Sequence, residues 1–214
     1  MIKRLLILLI LLIAVPCFGL EKIPGLVGFG TTTRGEYGGA NDPDICIVIN
    51  LLATGGAPGD STRNGTDVKE GTLRQCIDYA PAANTGKAIL FEVSGTITGD
   101  DYYLWSVDNQ WTGIYGQTAP SPGITLKNIT LKVSASDVVI QHLRFRVGDI
   151  VAGYLPTSRD GFKVTVTTQT AANIIIDHCS ISWGVDETFE LYDNGTGSIS
   201  YVTVSNSIIS EGLD

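Results

Sequence analysis

The sequence predicts an all-β fold, a parallel β-helix whose chain winds through stacked coils. Three observations lead there. First, an apolar template recurs around a polar corner: Val138, Ile140, Leu143 and Phe145 about Gln141-His142, Ile174, Ile176, Cys179 and Ile181 about Asp177-His178, and Val202, Val204, Ser207 and Ile209 about Ser205-Asn206. Second, the side-chain phase breaks at each corner. Strict alternation would send Ile174 and Ile176 to one face of a strand and Cys179 and Ile181 to the other, whereas a turn at Asp177-His178 lets all four face one interior. Third, the copies start 36 and 28 residues apart, too far for a hairpin meander but suited to a chain that returns to the same place after each circuit. Three strands of a β-sandwich are the competing arrangement. Ile124, Leu126, Ile129 and Leu131 about Lys127-Asn128 fit the template but begin only 14 residues before Val138, so they are expected on another side of the same coil.

Taken in order, residues 1–19 carry Lys3 and Arg4, then an apolar run over residues 5–15, then the small residue Gly19. The run is too short to span a bilayer and reads as a removable secretory leader. Residues 20–214 are then expected to form one elongated domain. Residues 20–39 are glycine-rich, residues 44–51 read as a strand and residues 53–71 as a polar loop. Over residues 72–80, Leu73, Cys76, Ile77 and Ala80 fall on one helical stripe. A lone amphipathic helix at the start of a solenoid is suited to plug the open end of the bore. Residues 88–97 read as the next strand. Residues 102–111 are aromatic and polar, and their rings fit loop packing better than sugar stacking. Residues 117–123 hold two prolines and a closing glycine and read as a link between strands. Residues 147–159 form a loop excursion, and residues 160–167 a further strand. Nothing in residues 210–214 resembles a closing cap, so the solenoid is expected to be truncated at this end.

Composition narrows the classes. A chain of 214 residues with 43% hydrophobic content can bury a real core. A formal charge of −8 disfavours nucleic acid or an anionic membrane surface as partner, and a polyanionic ligand would need a cation between it and the protein. After leader removal three cysteines remain. Cys179 occupies an inward template position, which leaves Cys46 and Cys76 as a possible pair, allowed by export but not required by it. Asn64-Gly65-Thr66, Asn128-Ile129-Thr130 and Asn194-Gly195-Thr196 match the glycosylation sequon, a cheap match.

The chain resembles the secreted pectate lyase superfamily. The residues carrying the resemblance are Gly71-Thr72-Leu73-Arg74, Phe91-Glu92-Val93-Ser94-Gly95-Thr96-Ile97, Gly116-Gln117-Thr118-Ala119-Pro120, Leu143-Arg144-Phe145-Arg146 and Ile176-Asp177-His178-Cys179-Ser180-Ile181-Ser182-Trp183-Gly184. The resemblance covers most of the chain after about residue 25. It implies a right-handed β-helix and calcium-dependent β-elimination of polygalacturonate. The partner would be an acidic polysaccharide met by a secreted monomer, extracellular or periplasmic.

Counting back from the corners locates candidate ligands. Asp160 lies 14 residues before Ile174, while Asp186 and Glu190 lie 16 and 12 before Val202. Asp160 is thus expected on one coil and the other two on its neighbour, about 4.8 Å away. Three carboxylates so placed repel unless a cation joins them, and calcium takes oxygen ligands. Asp160, Asp186 and Glu190 are therefore the candidate calcium ligands, at positions where the family places its own. Glu187 could replace Asp186 if the register slips. Alternation with Phe162 and Val164 would turn Asp160 inward unless the regular strand begins after Gly161. Asp177 and His178 are expected to hold the corner backbone. The family's proton acceptor is an arginine on later coils. No arginine here corresponds to it, so this chain alone is expected to have little or no lyase activity. A non-catalytic β-helix carbohydrate-binding or adhesion protein, and a β-helical glycoside hydrolase using paired carboxylates without calcium, are the other readings.

Overall fold

The structure is a computed structural model and describes residues 28–149 and 159–213. The predicted leader, residues 1–19, and most of the 147–159 excursion lie outside the described residues. Among these there are fifteen strands and one short α-helix. The first part holds β1 (Asn41–Val48), β2 (Gly59–Arg63), β3 (Thr66–Gly71), α1 (Leu73–Asp78), β4 (Thr85–Phe91), β5 (Gly95–Val107) and β6 (Thr112–Tyr115). Then come β7 (Ile124–Val133), β8 (Val138–Gln141), β9 (Leu143–Arg146), β10 (Phe162–Val166), β11 (Thr170–Asp177), β12 (Ser180–Ser182), β13 (Phe189–Asp193), β14 (Ser198–Ser205) and β15 (Ile208–Ser210).

The strands form two parallel sheets, ordered β14-β11-β8-β6-β4-β1-β3-β2 and β13-β10-β7-β9-β12-β15, with β5 also paired to β7. Among the described residues only the β2–β3 hairpin is antiparallel. β7 serves two sides of a circuit: Ile124–Lys127 pairs with β9 and Leu131–Val133 with β10, the bend falling at Asn128, φ 57°. That is the other side expected for the 124–131 copy. The three template copies share one register, Val138↔Ile174↔Val202, with Thr112 of β6 as a further level 26 residues before Val138. The fourth level was masked in the sequence because Thr112 stands where the template has its first aliphatic and Tyr115 where it has a polar corner residue.

Register turns the repeats into apolar columns. Ile89, Ile114, Ile140 and Ile176 lie one above another, all fully buried, as do Leu126, Phe145 and Ile181 on the next side. Each such side chain contributes about 1.5–3 kcal/mol when buried. The polar corner is equally regular. His142, His178 and Asn206 all sit at left-handed φ (54°, 53° and 47°), and the two imidazoles stack 4.6 Å apart. Asp177, wholly buried, accepts from Gln141 Nε2 (2.9 Å), Ser205 Oγ (2.7 Å) and Asn206 Nδ2 (3.0 Å), and pairs with His178 Nδ1 (2.8 Å). It holds three levels together, which is the structural role expected of it.

Several sequence expectations need correction. Residues 53–71 are not simply a polar loop: Asn64-Gly65, with φ 49° and 80°, is a tight turn closing the β2–β3 hairpin. The strand expected over residues 88–97 is two strands, interrupted between Phe91 and Gly95. Trp105 is fully buried in the core, so this ring packs the solenoid. The helix is shorter than its stripe. Thr72 and Gln75 close a capping box at its start, Leu73, Cys76 and Ile77 enter the core, and Ala80 lies beyond its end. Cys76 is disulfide-bonded to Cys46, and Cys179 is free and buried. Lys87, fully buried, donates to the carbonyls of Cys76 (3.1 Å), Ile77 (2.5 Å) and Tyr79 (2.6 Å), filling acceptors that a helix end leaves open.

Residues 28–39 of the glycine-rich segment form a strap across the outside of the first sheet. Gly30 N–H donates to Thr203 Oγ1 of β14 (2.8 Å), Thr32 Oγ1 meets Asn173 Oδ1 of β11 (2.7 Å), and Arg34 N–H meets Asp137 beside β8 (3.2 Å). Tyr115 of β6 donates to Glu36. A Cβ on Gly30 would lie 2.5 Å from Ile174 O, and one on Gly86 2.0 Å from Glu36 O, so the close approach requires glycine. Beneath lie Val139 and Ile175, outward-facing yet only 1% exposed.

Candidate metal centre

The corner leading from the β9/β12 side to the β10/β13 side is where carboxylates gather. After β12 the chain turns through Trp183, φ 65°, and Gly184 packs so tightly that a Cβ there would lie 2.3 Å from Glu187 O. The level before it is pinned to this turn. Gly161 N–H donates to Glu187 O (2.8 Å), Val185 N–H to Arg159 O (2.8 Å), and a Cβ on Gly161 would meet Thr188 O at 2.4 Å. Two neighbouring coils are thus fixed against each other by backbone contacts.

Carboxylate oxygens of Asp160, Asp186 and Glu187 lie within 4.8 Å of one another. Asp160 is 1% exposed; Lys163 Nζ bonds its Oδ2, and its main-chain carbonyl accepts from Thr130 Oγ1 (2.6 Å). Its Oδ1 is buried without a hydrogen-bond partner. An unsatisfied, buried carboxylate oxygen costs about 1–3 kcal/mol or more. Glu187 feels the crowding. Partial loss of hydration, its contact with Asp160 and the charges of Asp186, Asp160 and Glu190 push its carboxyl up to about 7. All donors are oxygens, buried Asp160 keeps one of its two unsatisfied beside two exposed carboxylic residues, and a hard cation such as calcium fits this set.

Of the three predicted ligands, the fold brings together Asp160 and Asp186, adds Glu187, and leaves Glu190 outside the cluster. Glu190 lies 3.7 Å from Lys163 Nζ and accepts from Thr165 Oγ1 (3.3 Å). Strand alternation would put Asp186 and Glu190, four residues apart, on one face. β13 begins only at Phe189, so residue 186 lies in the turn, where period-two reasoning does not apply. Asp160 follows the same logic: β10 begins at Phe162, after Gly161, which frees Asp160 from the inward phase of Phe162 and Val164.

Fold and corner together define a β-solenoid with a cluster of carboxylates between coils. No protein-family model matches the chain. Curated relatives do: the chain is 32% identical to a probable pectate lyase C of Emericella nidulans over 91% of its length, 31% to that of Aspergillus terreus and 30% to that of Aspergillus fumigatus over the same share. The chain is thus similar to members of the pectate lyase superfamily over most of its own length, and it spans about 38% of the length of these relatives.

Proposed function

We propose that the Asp160–Asp186–Glu187 corner binds calcium and, through it, an acidic polysaccharide of the polygalacturonate type, the site of a calcium-dependent β-elimination in the whole protein. The orphaned Oδ1 of buried Asp160 is the observation that supports this reading best. Asp160, Asp186 and Glu187 would hold the ion, with Glu190 and Lys163 flanking them. Bound calcium supplies positive charge to a uronate carboxylate and eases loss of the neighbouring proton. Lys163 keeps Asp160 in place by holding Oδ2, which leaves Oδ1 free of a hydrogen-bond donor. Thr130 fixes the Asp160 backbone from the coil below.

The proton also needs an acceptor. None of β5, β7, β10 or β13, which carry this side of the solenoid, contains an arginine, and Arg159, beside Asp160 at the corner, is buried rather than presented to a substrate. Arg144 and Arg146 lie on β9, on a different side, where Arg146 bonds Ser180 O (2.9 Å) and Ser180 Oγ (2.8 Å). The chain by itself is therefore expected to have little or no lyase activity. The same observation favours a second reading, a carbohydrate-binding or adhesion protein without chemistry. The wider proposal is a right-handed β-helix, with α1 covering the first end of its bore and residues 20–214 as one domain. It further takes residues 1–19 as a cleaved leader and the product as a secreted monomer. Among the described residues no helix is long and apolar enough to cross a membrane.

The test incubates the purified chain with polygalacturonate and calcium and follows ultraviolet absorbance of unsaturated product, with binding measured in parallel. Calcium-dependent binding with negligible product is the expected result. Sustained product formation would overturn the inactivity, and absence of binding would overturn the substrate assignment.

A further inference from the structure

Register aligns Ser106, Lys132, Lys163 and Glu190 across β5, β7, β10 and β13. Their neighbours Leu131, Val133, Phe162 and Val164 are buried in the bore, so this column faces outward. Two lysines therefore stand directly one above the other on adjacent coils, an arrangement that destabilises a sheet. Lys163 is compensated by Asp160 and Glu190. Lys132 is half-buried and has no ion pair or hydrogen bond among the described residues. It lies two residues beyond Thr130, whose hydroxyl donates to the Asp160 main-chain carbonyl, and so on the coil next to the acidic corner.

We propose that Lys132 is a substrate-binding residue that pairs with a uronate carboxylate on the sugar next to the one held at the acidic corner. The polysaccharide then crosses β7 and β10 along the stacking direction, so its charge relieves the Lys132–Lys163 repulsion that the fold leaves standing. An ammonium suits this task because it is a point charge on a flexible stem, able to follow a carboxylate whose angle varies between sugars. This inference rests on the polyuronate reading above.

The test measures binding of trigalacturonate and of its methyl ester to the whole chain in calcium, for wild type, Lys132→Gln and Lys132→Arg. Lys132→Gln is expected to weaken trigalacturonate about fivefold, to leave the methyl ester unchanged, and to melt at the same temperature as wild type or higher. Lys132→Arg is expected to retain affinity. Calcium affinity, read by terbium luminescence, is expected to be unaffected in both. Equal trigalacturonate affinity in wild type and Lys132→Gln overturns the role of Lys132 alone, as does an equal loss for acid and ester. Failure of wild type to bind trigalacturonate while binding calcium overturns the polyuronate reading and the Lys132 contact with it.

Discussion

Asp160 and Asp177 are both buried aspartates, and their partners separate their roles. Around Asp177 burial alone would raise the carboxyl, but hydrogen bonds from His178, Asn206, Gln141 and Ser205 hold it well below the usual carboxylate range. Asp160 has Lys163 on Oδ2 and no geometric hydrogen-bond partner on Oδ1, with the crowded Glu187 carboxyl beside it. Asp177 is thus a spent group that fixes a corner, while Asp160 has capacity left for a ligand. Replacing Asp177 with Asn is expected to cost about 2–4 kcal/mol in denaturant unfolding, since it leaves inward-facing donors short of an acceptor. Because its folded value is depressed, that stabilisation is complete above the unfolded value of about 3.9 and fades as pH falls below it. The gap between wild type and Asp177→Asn should therefore narrow between about pH 4 and pH 2. The corner role of Asp177-His178 was legible in the sequence from the phase break alone. The choice of Glu187 over Glu190 was not, because a turn sets its own directions and residue spacing cannot report them.

Strands, helix and strap differ in how far each could be read. The hairpin was within reach, since Asn64-Gly65 is the dipeptide that a two-residue turn demands. The strap was not: its glycines show no period, and its contacts lie 103 residues away at Asp137 and 173 at Thr203. Its importance can be measured. Gly86→Ala would drive a methyl group into the Glu36 carbonyl, 2.0 Å from the new Cβ. Lifting the strap should cost about 1–3 kcal/mol of stability and speed amide exchange at Val139 and Ile175, beneath it. Lys87→Met tests the helix end, where three carbonyls lose their donor. A loss of about 2–4 kcal/mol is expected, whereas an unchanged midpoint would mean that water serves those carbonyls equally well.

Across the whole molecule, the architecture was the most legible feature because it follows from chemistry that repeats. Aliphatic residues at one register build columns, and polar residues at the corners satisfy the backbone where those columns turn. The candidate site was half legible, since stacking the coils correctly put Asp160 beside the 183–188 turn without fixing which acids of that turn converge on it. The central claim is that the convergence makes an ion site, and direct calcium titration tests it. Extracellular calcium modules bind with Kd of about 10⁻⁴–10⁻³ M, so at about 10 mM calcium the stabilisation should reach about 1.4–2.7 kcal/mol, a rise of several degrees in melting temperature. Asp160→Asn should abolish that rise. A wild-type protein whose melting temperature does not respond to calcium, or an Asp160→Asn variant that responds equally, would contradict the account.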